Sequence, residues 1–445
     1  MPKTQDLSQG NVTRIIISFY VPMFFTNLLQ QIYSFADTAI VGNGLGDNAL
    51  ASVGNMGSLH FLIIGFSVGL GNGFAILIAR YFGAKDYDRL RHCFGALINL
   101  SVLIIVVLTV FSIVFLREAL VIINTDEIII EDSLRYGYIV YGGLCVTIAY
   151  NVSAAVLRAL GDSKTPLYAI IVSTVANIVL DYIFIFSFKT GVEGAAIATI
   201  IAQLISAVMC IYRISQIDIL RLAREDFKND IMMYNNLLKN GVPMAFMNSL
   251  TAIGCMVVQS FVNDFGVSHT AAYSTCSRYN NMFMQPACTT SNTISAFAGQ
   301  NCGAGKYDRI KKGIFVCIGI VGVSYMLLGS IMFFFPRFLA SLLLKGDEAI
   351  EIASQFLRIC GVALIFVDLL FVFRGAVQGM GYAVVPMLSG MLEMVLRISV
   401  IILLSKSFGF IATAYAEVVA WTGALMFNAV GFVYYYRKLT RAKMG

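Results

Sequence analysis

The ten residues FGAKDYDRLR at positions 82–91 recur as CGAGKYDRIK at positions 302–311, 220 positions later in the chain. Further pairs match at nearly the same offset: Leu45-Gly46 with Phe265-Gly266, Ala51 with Ala271, Gly161 with Gly381, Pro166 with Pro386 and, one residue further on, Val21-Pro22-Met23 with Val242-Pro243-Met244. One such match can arise by chance, but several at a nearly constant spacing indicate a duplication. The sequence therefore predicts two similar halves.

The composition is that of a membrane protein. Of the 445 residues, 58% are hydrophobic and 13% are charged, whereas a soluble domain has roughly 25% charged residues. This balance excludes a soluble enzyme, a nucleic-acid-binding protein and a disordered chain. A membrane-spanning helix needs about 20 apolar residues, and twelve such runs occur, near 14–35, 50–78, 93–116, 136–157, 166–188, 192–212, 242–263, 279–298, 313–335, 359–380, 384–405 and 409–433.

These runs predict an all-α integral membrane protein. We expect 12 transmembrane helices in two six-helix repeats around a central cleft. The two repeats are parallel, because an even number of spans in each half brings both halves into the bilayer in the same direction. We expect an N-terminal lobe at 1–212, a polar cytoplasmic linker at 213–240 and a C-terminal lobe at 241–445. Most of the 31 lysines and arginines fall on the side of the N-terminus, which predicts that both termini are cytoplasmic and that the protein lies in the cell membrane.

Several short motifs resemble those of the multidrug and toxic compound extrusion (MATE) transporters. The stretch DTAIVG at 37–42, followed by Leu45-Gly46 and Ala49-Leu50-Ala51, resembles the family's first-helix motif. The stretch LRALGD at 157–162, with Pro166, resembles the motif after the fourth helix. Gly299-Gln300-Asn301 with Gly303-Ala304 resembles the motif after the eighth helix. The resemblance extends over the whole chain, including the linker.

The resemblance implies a cation-coupled antiporter that exports lipophilic, often cationic, compounds by alternating access. The expected partners are small lipophilic organic cations, H⁺ or Na⁺ and the lipid bilayer, and not nucleic acid. We expect a monomer that is not an enzyme and needs no cofactor. A lipid-linked oligosaccharide flippase of related architecture is the alternative, because Arg374 and Arg397 lie within apolar runs and could contact a phosphorylated cargo.

Four polar residues of the first half are the candidate coupling-cation site. A charge at the centre of a bilayer costs at least about 2.5 kcal/mol, so Asp37 and Asp181 require a reason. Asn177 precedes Asp181 by one helical turn and shares its face, and Thr199 adds a hydroxyl from the next predicted span. One branch of the MATE family binds its coupling cation with an Asp, an Asn and an Asp four apart, and a Thr in this order. The resemblance therefore implies that Asp37, Asn177, Asp181 and Thr199 hold H⁺ or Na⁺.

The second repeat serves as a control for this interpretation. At the offset of 220, Asp37, Asn177 and Asp181 correspond to Val257, Arg397 and Ile401. If these acids served only the scaffold, the second half should contain them as well. It does not, so the oxygen cluster belongs to the first lobe and has a separate role there. Two neighbouring carboxylates away from water favour holding one proton between them, and their oxygens equally suit Na⁺.

The second lobe contains Asp368, Glu393 and Arg397, which are candidates for substrate binding or gating. Glu393 and Arg397 are four residues apart, a spacing that favours a local salt bridge, with a gate or substrate contact as the alternative. His60 is expected to be a hydrogen-bonded interior histidine rather than a proton relay. Gly69, Gly71 and Gly73 lie in an apolar run without a preceding strand, which indicates close helix packing and not a nucleotide-binding loop.

Overall fold

The computed structural model describes residues 4–123, 125–228 and 230–444, and every regular element in these ranges is a helix. This confirms the all-α prediction. The first half contains α1 (Val12–Leu45), α2 (Asp47–Ala84), α3 (Tyr87–Val114), α4 (Leu116–Ile122), α5 (Glu127–Gly142), α6 (Leu144–Ala159), α7 (Lys164–Tyr182) and α8 (Gly191–Ser215). The second half contains α9 (Ile231–Asn263), α10 (Val267–Phe283), α11 (Gln285–Gly303), α12 (Tyr307–Phe334), α13 (Pro336–Ser341), α14 (Asp347–Gly379), α15 (Val384–Phe408) and α16 (Ala412–Met444).

Among the described residues, nine helical stretches are long and apolar enough to cross a bilayer. The number is ten when α5 and α6, which meet at a bend of 48°, count as one span. One of the nine stretches, Val384–Arg441, contains α15 and most of α16. The predicted eighth run, 279–298, falls on α10 and α11, which are separate helices around Met284. The total of twelve spans therefore stays a prediction.

The duplication is visible in the backbone. Gly46 before α2 has a φ of 86° and Gly266 before α10 has a φ of 94°. Gly161 and Gly381 form a second pair, with φ values of 82° and 86°. Glycine adopts this left-handed region without a steric penalty, so the two halves use the same residue for the same turn, 220 positions apart.

The described chain forms two compact units, and each contains parts of both halves of the sequence. Unit 1 consists of the residues up to Asp6 and Val21–Ala245. Unit 2 consists of Leu7–Tyr20 and of the chain from Phe246 onward. Helices α1 and α9 are each divided between the units next to their internal prolines, Pro22 and Pro243.

In unit 1, glycines allow α2 to pack closely against the first part of α9. A Cβ placed on Gly69 would lie 2.6 Å from the Cα of Ala245, and one placed on Gly73 would lie 2.5 Å from the Cα of Gly241. No side chain fits at such distances. The helix-packing interpretation is confirmed for these two glycines, whereas a Cβ on Gly71 would make an ordinary contact with Val152 at 3.5 Å.

In unit 2, the motif after the eighth predicted span holds the segment that precedes α1. The backbone N–H of Leu7 donates to Gln300 Oε1 at 2.8 Å, and Asn301 Nδ2 donates to the carbonyl of Leu7 at 3.3 Å. Arg309 donates to the carbonyls of Leu7 and Gly10 at 3.2 and 2.8 Å, and from Nε to Asn301 Oδ1 at 2.9 Å. Leu7 is fully buried. The motif thus supplies donors and acceptors for a backbone segment that has no helical partners.

Candidate functional site

The site in unit 1 is built on one face of α7. Ala169, Ser173, Asn177 and Asp181 follow one another at intervals of four residues, so they form a single stripe. All four are buried, and Asn177 and Asp181 have no exposed surface. Immediately after Tyr182, α7 passes into a π-helical turn, Ile183–Ser187. Such turns are frequent at functional sites.

Helices α1 and α8 complete the cluster. The carboxylate of Asp37, on α1, lies next to that of Asp181, and the Asn177 amide lies beside Asp181 as well. Tyr33 precedes Asp37 by one turn, and its hydroxyl lies close to both carboxylates and to Thr199 on α8. The structure therefore brings together the residues that the sequence predicts as the coupling-cation site.

The polar atoms of this cluster are buried and have no hydrogen-bond partner among the described residues. They are Oδ1 of Asp37, Nδ2 and Oδ1 of Asn177, both carboxylate oxygens of Asp181, Oγ1 of Thr199 and the hydroxyl oxygen of Tyr33. Each buried polar group without a partner costs about 1–3 kcal/mol. The cost is offset when a proton, a cation or water binds the oxygens and an acceptor such as water accepts from Asn177 Nδ2. Carboxylate, amide and hydroxyl oxygens are ligands that suit H⁺ or a hard metal cation, so the donor set fits the expected ion.

Two tyrosines that the sequence analysis did not predict, Tyr33 and Tyr136, also belong to this cluster. Besides Tyr33, Tyr136 on α5 lies within electrostatic reach of Asp37, Asp181 and Tyr33. The spacing of Tyr33, four residues before Asp37 and on the same helix face, was a usable signal. Tyr136 offers no such spacing, because its proximity depends on how α5 packs in unit 1.

The environment of His60 differs from the predicted one. Its Nδ1 atom is buried and has no hydrogen-bond partner among the residues that the structure describes. The imidazole ring instead stacks on Tyr141, with 6.4 Å between ring centroids and 18° between the planes. The prediction of a hydrogen-bonded histidine is wrong for this nitrogen, because the ring of Tyr141 on α5, and no acceptor, lies beside the imidazole.

Asp368 lies in unit 2, on α14. Its carboxylate is buried, and Oδ1 has no hydrogen-bond partner within the described chain. Tyr20 and Cys288 are within electrostatic reach of it. Unlike Glu393 and Glu417, it makes no ion pair in the described ranges.

Glu393 and Arg397 do not pair with each other. Glu393 accepts a hydrogen bond from Arg374 on α14, and Arg397 donates to Glu417 on α16 at 2.8 Å. The predicted local salt bridge is therefore wrong. Each side chain finds an oppositely charged partner on a neighbouring helix, so the four buried charges cancel and connect α14, α15 and α16. The sequence contained a signal for these pairs, because Arg374 and Glu417 are single charges within apolar runs and each requires a partner of opposite charge.

Comparison with known proteins identifies the family of the chain and its similarity to solved structures. The MatE family model matches residues 22–183 and 243–403, once in each half. The "Probable multidrug resistance protein YoeA" of Bacillus subtilis (strain 168) is 34% identical over 364 residues, which are 80% of this chain and 79% of that protein. The "Probable multidrug resistance protein YpnP" of the same organism is 28% identical over 391 residues, or 85% of each chain. A crystal structure described as "MATE in the bent conformation" superposes with a TM-score of 0.93 at 20% identity, over the whole of both chains.

These matches define a multi-pass membrane transporter of the multidrug-efflux class. The chain belongs to the MatE family, as its motifs indicated. Its relatives are transporters, which agrees with the expectation that the protein is not an enzyme.

Proposed function

We propose that the protein is a secondary antiporter that exports lipophilic, often cationic, compounds in exchange for H⁺ or Na⁺. The buried, unpartnered oxygens around Asp37 and Asp181 are the observation that carries the proposal. The names of the relatives, multidrug resistance proteins, support drugs as the cargo. Asp37, Asn177, Asp181 and Thr199 bind the coupling ion.

The ion acts by changing the charge of the cluster. With an ion bound, the charge of the two neighbouring carboxylates is reduced, and one conformation is favoured. Without it, two like charges lie side by side in a medium of low dielectric constant, and the protein favours the other conformation. Alternation between these states exposes the cargo first to the cytoplasm and then to the outside.

The energy available is sufficient for concentrative export. A tenfold ion gradient supplies about 1.4 kcal/mol, and a membrane potential of about 100 mV adds about 2.3 kcal/mol per charge. Together they correspond to a cargo gradient of several hundred-fold when one monovalent ion is exchanged for one neutral molecule.

The second unit supplies candidates for cargo binding or gating, namely Asp368, Glu393 and Arg397. Asp368 is the strongest of them, because its buried carboxylate is available to a cationic group. The flippase alternative depended on Arg374 and Arg397 as free positive charges. Both are neutralised by Glu393 and Glu417, which removes the reason to expect a phosphorylated cargo. We place the protein in the cell membrane as a monomer with both termini in the cytoplasm.

Transport in vesicles tests the proposal. Purified protein is reconstituted, an H⁺ or Na⁺ gradient is imposed, and efflux of a fluorescent lipophilic cation is followed. Asp37→Asn and Asp181→Asn should each abolish ion-driven efflux while the protein remains folded. Asp218→Asn, which changes an exposed acid of the linker paired with Arg221, is the matched control and should transport normally. Full ion-driven activity in both cluster variants would overturn the proposal.

A further inference from the structure

A groove of about 750 Å³ runs along the C-terminal part of α16, in unit 2. Its volume is within the range of about 300–1,000 Å³ that is typical of small-molecule sites. The residues that line it recur at intervals of three or four along the chain, so they lie on one face of the helix. This face takes no part in the proposed antiport. The lining residues are Ala429, Val430, Val433, Tyr434, Arg437, Lys438 and Arg441.

The opposite face of α16 packs against other helices of unit 2. A Cβ placed on Gly431 would lie 2.8 Å from Cγ1 of Val385, on α15. The ring of Phe432 is buried, and its centroid lies 5.9 Å from that of Phe373 on α14. The exposed fraction of Val430, in contrast, is 69%. The groove therefore lies on the face of α16 that the described part of unit 2 leaves uncovered.

Apolar and basic residues occupy different levels of the groove. Val430 and Val433 come first along the helix, Tyr434 follows, and Arg437 and Arg441 come last, toward the end of the chain. At 1.5 Å per residue, Arg437 is about 10 Å along the helix axis from Val430. A phospholipid has the same order, with acyl chains in the hydrocarbon and a phosphate in the headgroup region. Tyrosine is enriched at the level between the two.

The basic end of the groove lacks acidic partners. Arg437, Lys438 and Arg441 are exposed and form no ion pair within the described chain. Asp308 instead accepts a hydrogen bond from the hydroxyl of Tyr436 at 3.4 Å. Arg437 and Arg441 are four residues apart, so their like charges are neighbours on the helix and repel each other. An anion bound among the three side chains would remove this repulsion.

We infer that the groove binds an anionic phospholipid of the leaflet at which α16 ends. The lipid phosphate lies among Arg437, Lys438 and Arg441, and an acyl chain lies along Val430 and Val433. The planar guanidinium group donates two parallel hydrogen bonds to a phosphate. Basic side chains at the end of a membrane-spanning helix attract anionic headgroups. The continuity of the apolar and basic parts on one uncovered face favours a whole lipid over a free anion.

The experiment measures lipid binding to the purified protein in detergent. Phosphatidylglycerol and phosphatidylcholine with the same acyl chains are titrated in turn. Bound lipid is counted by native mass spectrometry, and the rise in melting temperature that a bound ligand produces is followed in parallel. The wild type should be half-saturated at a concentration of phosphatidylglycerol about a hundredfold lower than that of phosphatidylcholine, because each of the three charges contributes about fivefold.

Variants separate the groove from general attraction to a basic protein. Arg437→Gln with Arg441→Gln should weaken phosphatidylglycerol binding about 25-fold, at about fivefold per charge, and leave phosphatidylcholine binding unchanged. Lys311→Gln with Lys312→Gln is the matched control. It removes the same charge from exposed positions on α12 and should bind phosphatidylglycerol like the wild type. Val433→Asn, in the apolar part, should weaken the binding of both lipids.

Several results would overturn the inference. The first is a wild type that binds both lipids equally, and the second is a double arginine variant that loses no more affinity than the lysine control. The third is inorganic phosphate that stabilises the protein as strongly as phosphatidylglycerol at the same concentration, which would indicate a site for free anions. The fourth is a dimer that forms in the wild type and not in the arginine variant, since a second copy would then cover the groove. If the double variant does not fold, Arg437→Gln alone decides, with an expected loss of about fivefold.

Discussion

Glu417→Gln is expected to destabilise unit 2 severely, because it leaves the buried charge of Arg397 without its main partner. The exposed fraction of the Arg397 side chain is 3% and that of Glu417 is 11%. Two of the arginine's nitrogens, Nε and Nη1, already have no hydrogen-bond partner among the described residues. Removing one member of a buried ion pair costs about 3–5 kcal/mol, which corresponds to a change of about two hundred- to several thousand-fold in the unfolding equilibrium.

The assay is equilibrium unfolding in detergent with increasing denaturant. Replacing both partners, as Arg397→Met with Glu417→Leu, should cost less than Glu417→Gln alone, because an apolar pair carries no uncompensated charge. Glu351→Gln, on the exposed side of α14, is the control and should change the free energy of unfolding by less than about 0.5 kcal/mol. A Glu417→Gln protein within about 1 kcal/mol of the wild type would refute the reasoning, as would a double variant that loses as much stability as Glu417→Gln alone.

Two further predictions concern packing and the N-terminal segment. Gly73→Ala should lower the free energy of unfolding by about 1–3 kcal/mol, because the added methyl group overpacks α2 against Gly241. Gly57→Ala on the same helix, with nothing within 4 Å of the added Cβ, should leave the free energy of unfolding unchanged or raise it by up to about 1 kcal/mol. Equal losses in both variants would contradict the packing account. Arg309→Met should speed amide hydrogen exchange at residues 7–10 at least tenfold, because it removes the guanidinium that donates to the carbonyls of Leu7 and Gly10. Lys311→Met should leave the exchange unchanged. Equal protection in both variants would show that Arg309 does not stabilise the segment.

Much of the candidate site was predictable because its signal is local. Asn177 and Asp181 are four residues apart in an apolar run, so a helix places them on one face whatever else it packs against. The duplicated motifs likewise predicted the repeated glycine turns, because a left-handed turn requires the same residue in each copy.

The parts that could not be predicted depend on contacts between distant segments. The spacing of Glu393 and Arg397 favours a pair, yet helix packing offers each a partner on another helix, and a buried charge takes the partner that burial provides. Leu7 bonds to Gln300, 293 residues away, and nothing in the short polar stretch before α1 indicates that contact. The break between α10 and α11 falls within a run that reads as one span.

Ion binding to the purified protein tests the central claim most directly. Na⁺ is titrated calorimetrically into the wild type and into Asp37→Asn and Asp181→Asn, with protons released into the buffer counted at the same time. The account predicts that the wild type either binds Na⁺ saturably or exchanges protons with the buffer through the carboxyl pair, and that this exchange is lost in either variant. Unchanged binding in the two variants would contradict the claim that these two carboxylates hold the ion that drives transport.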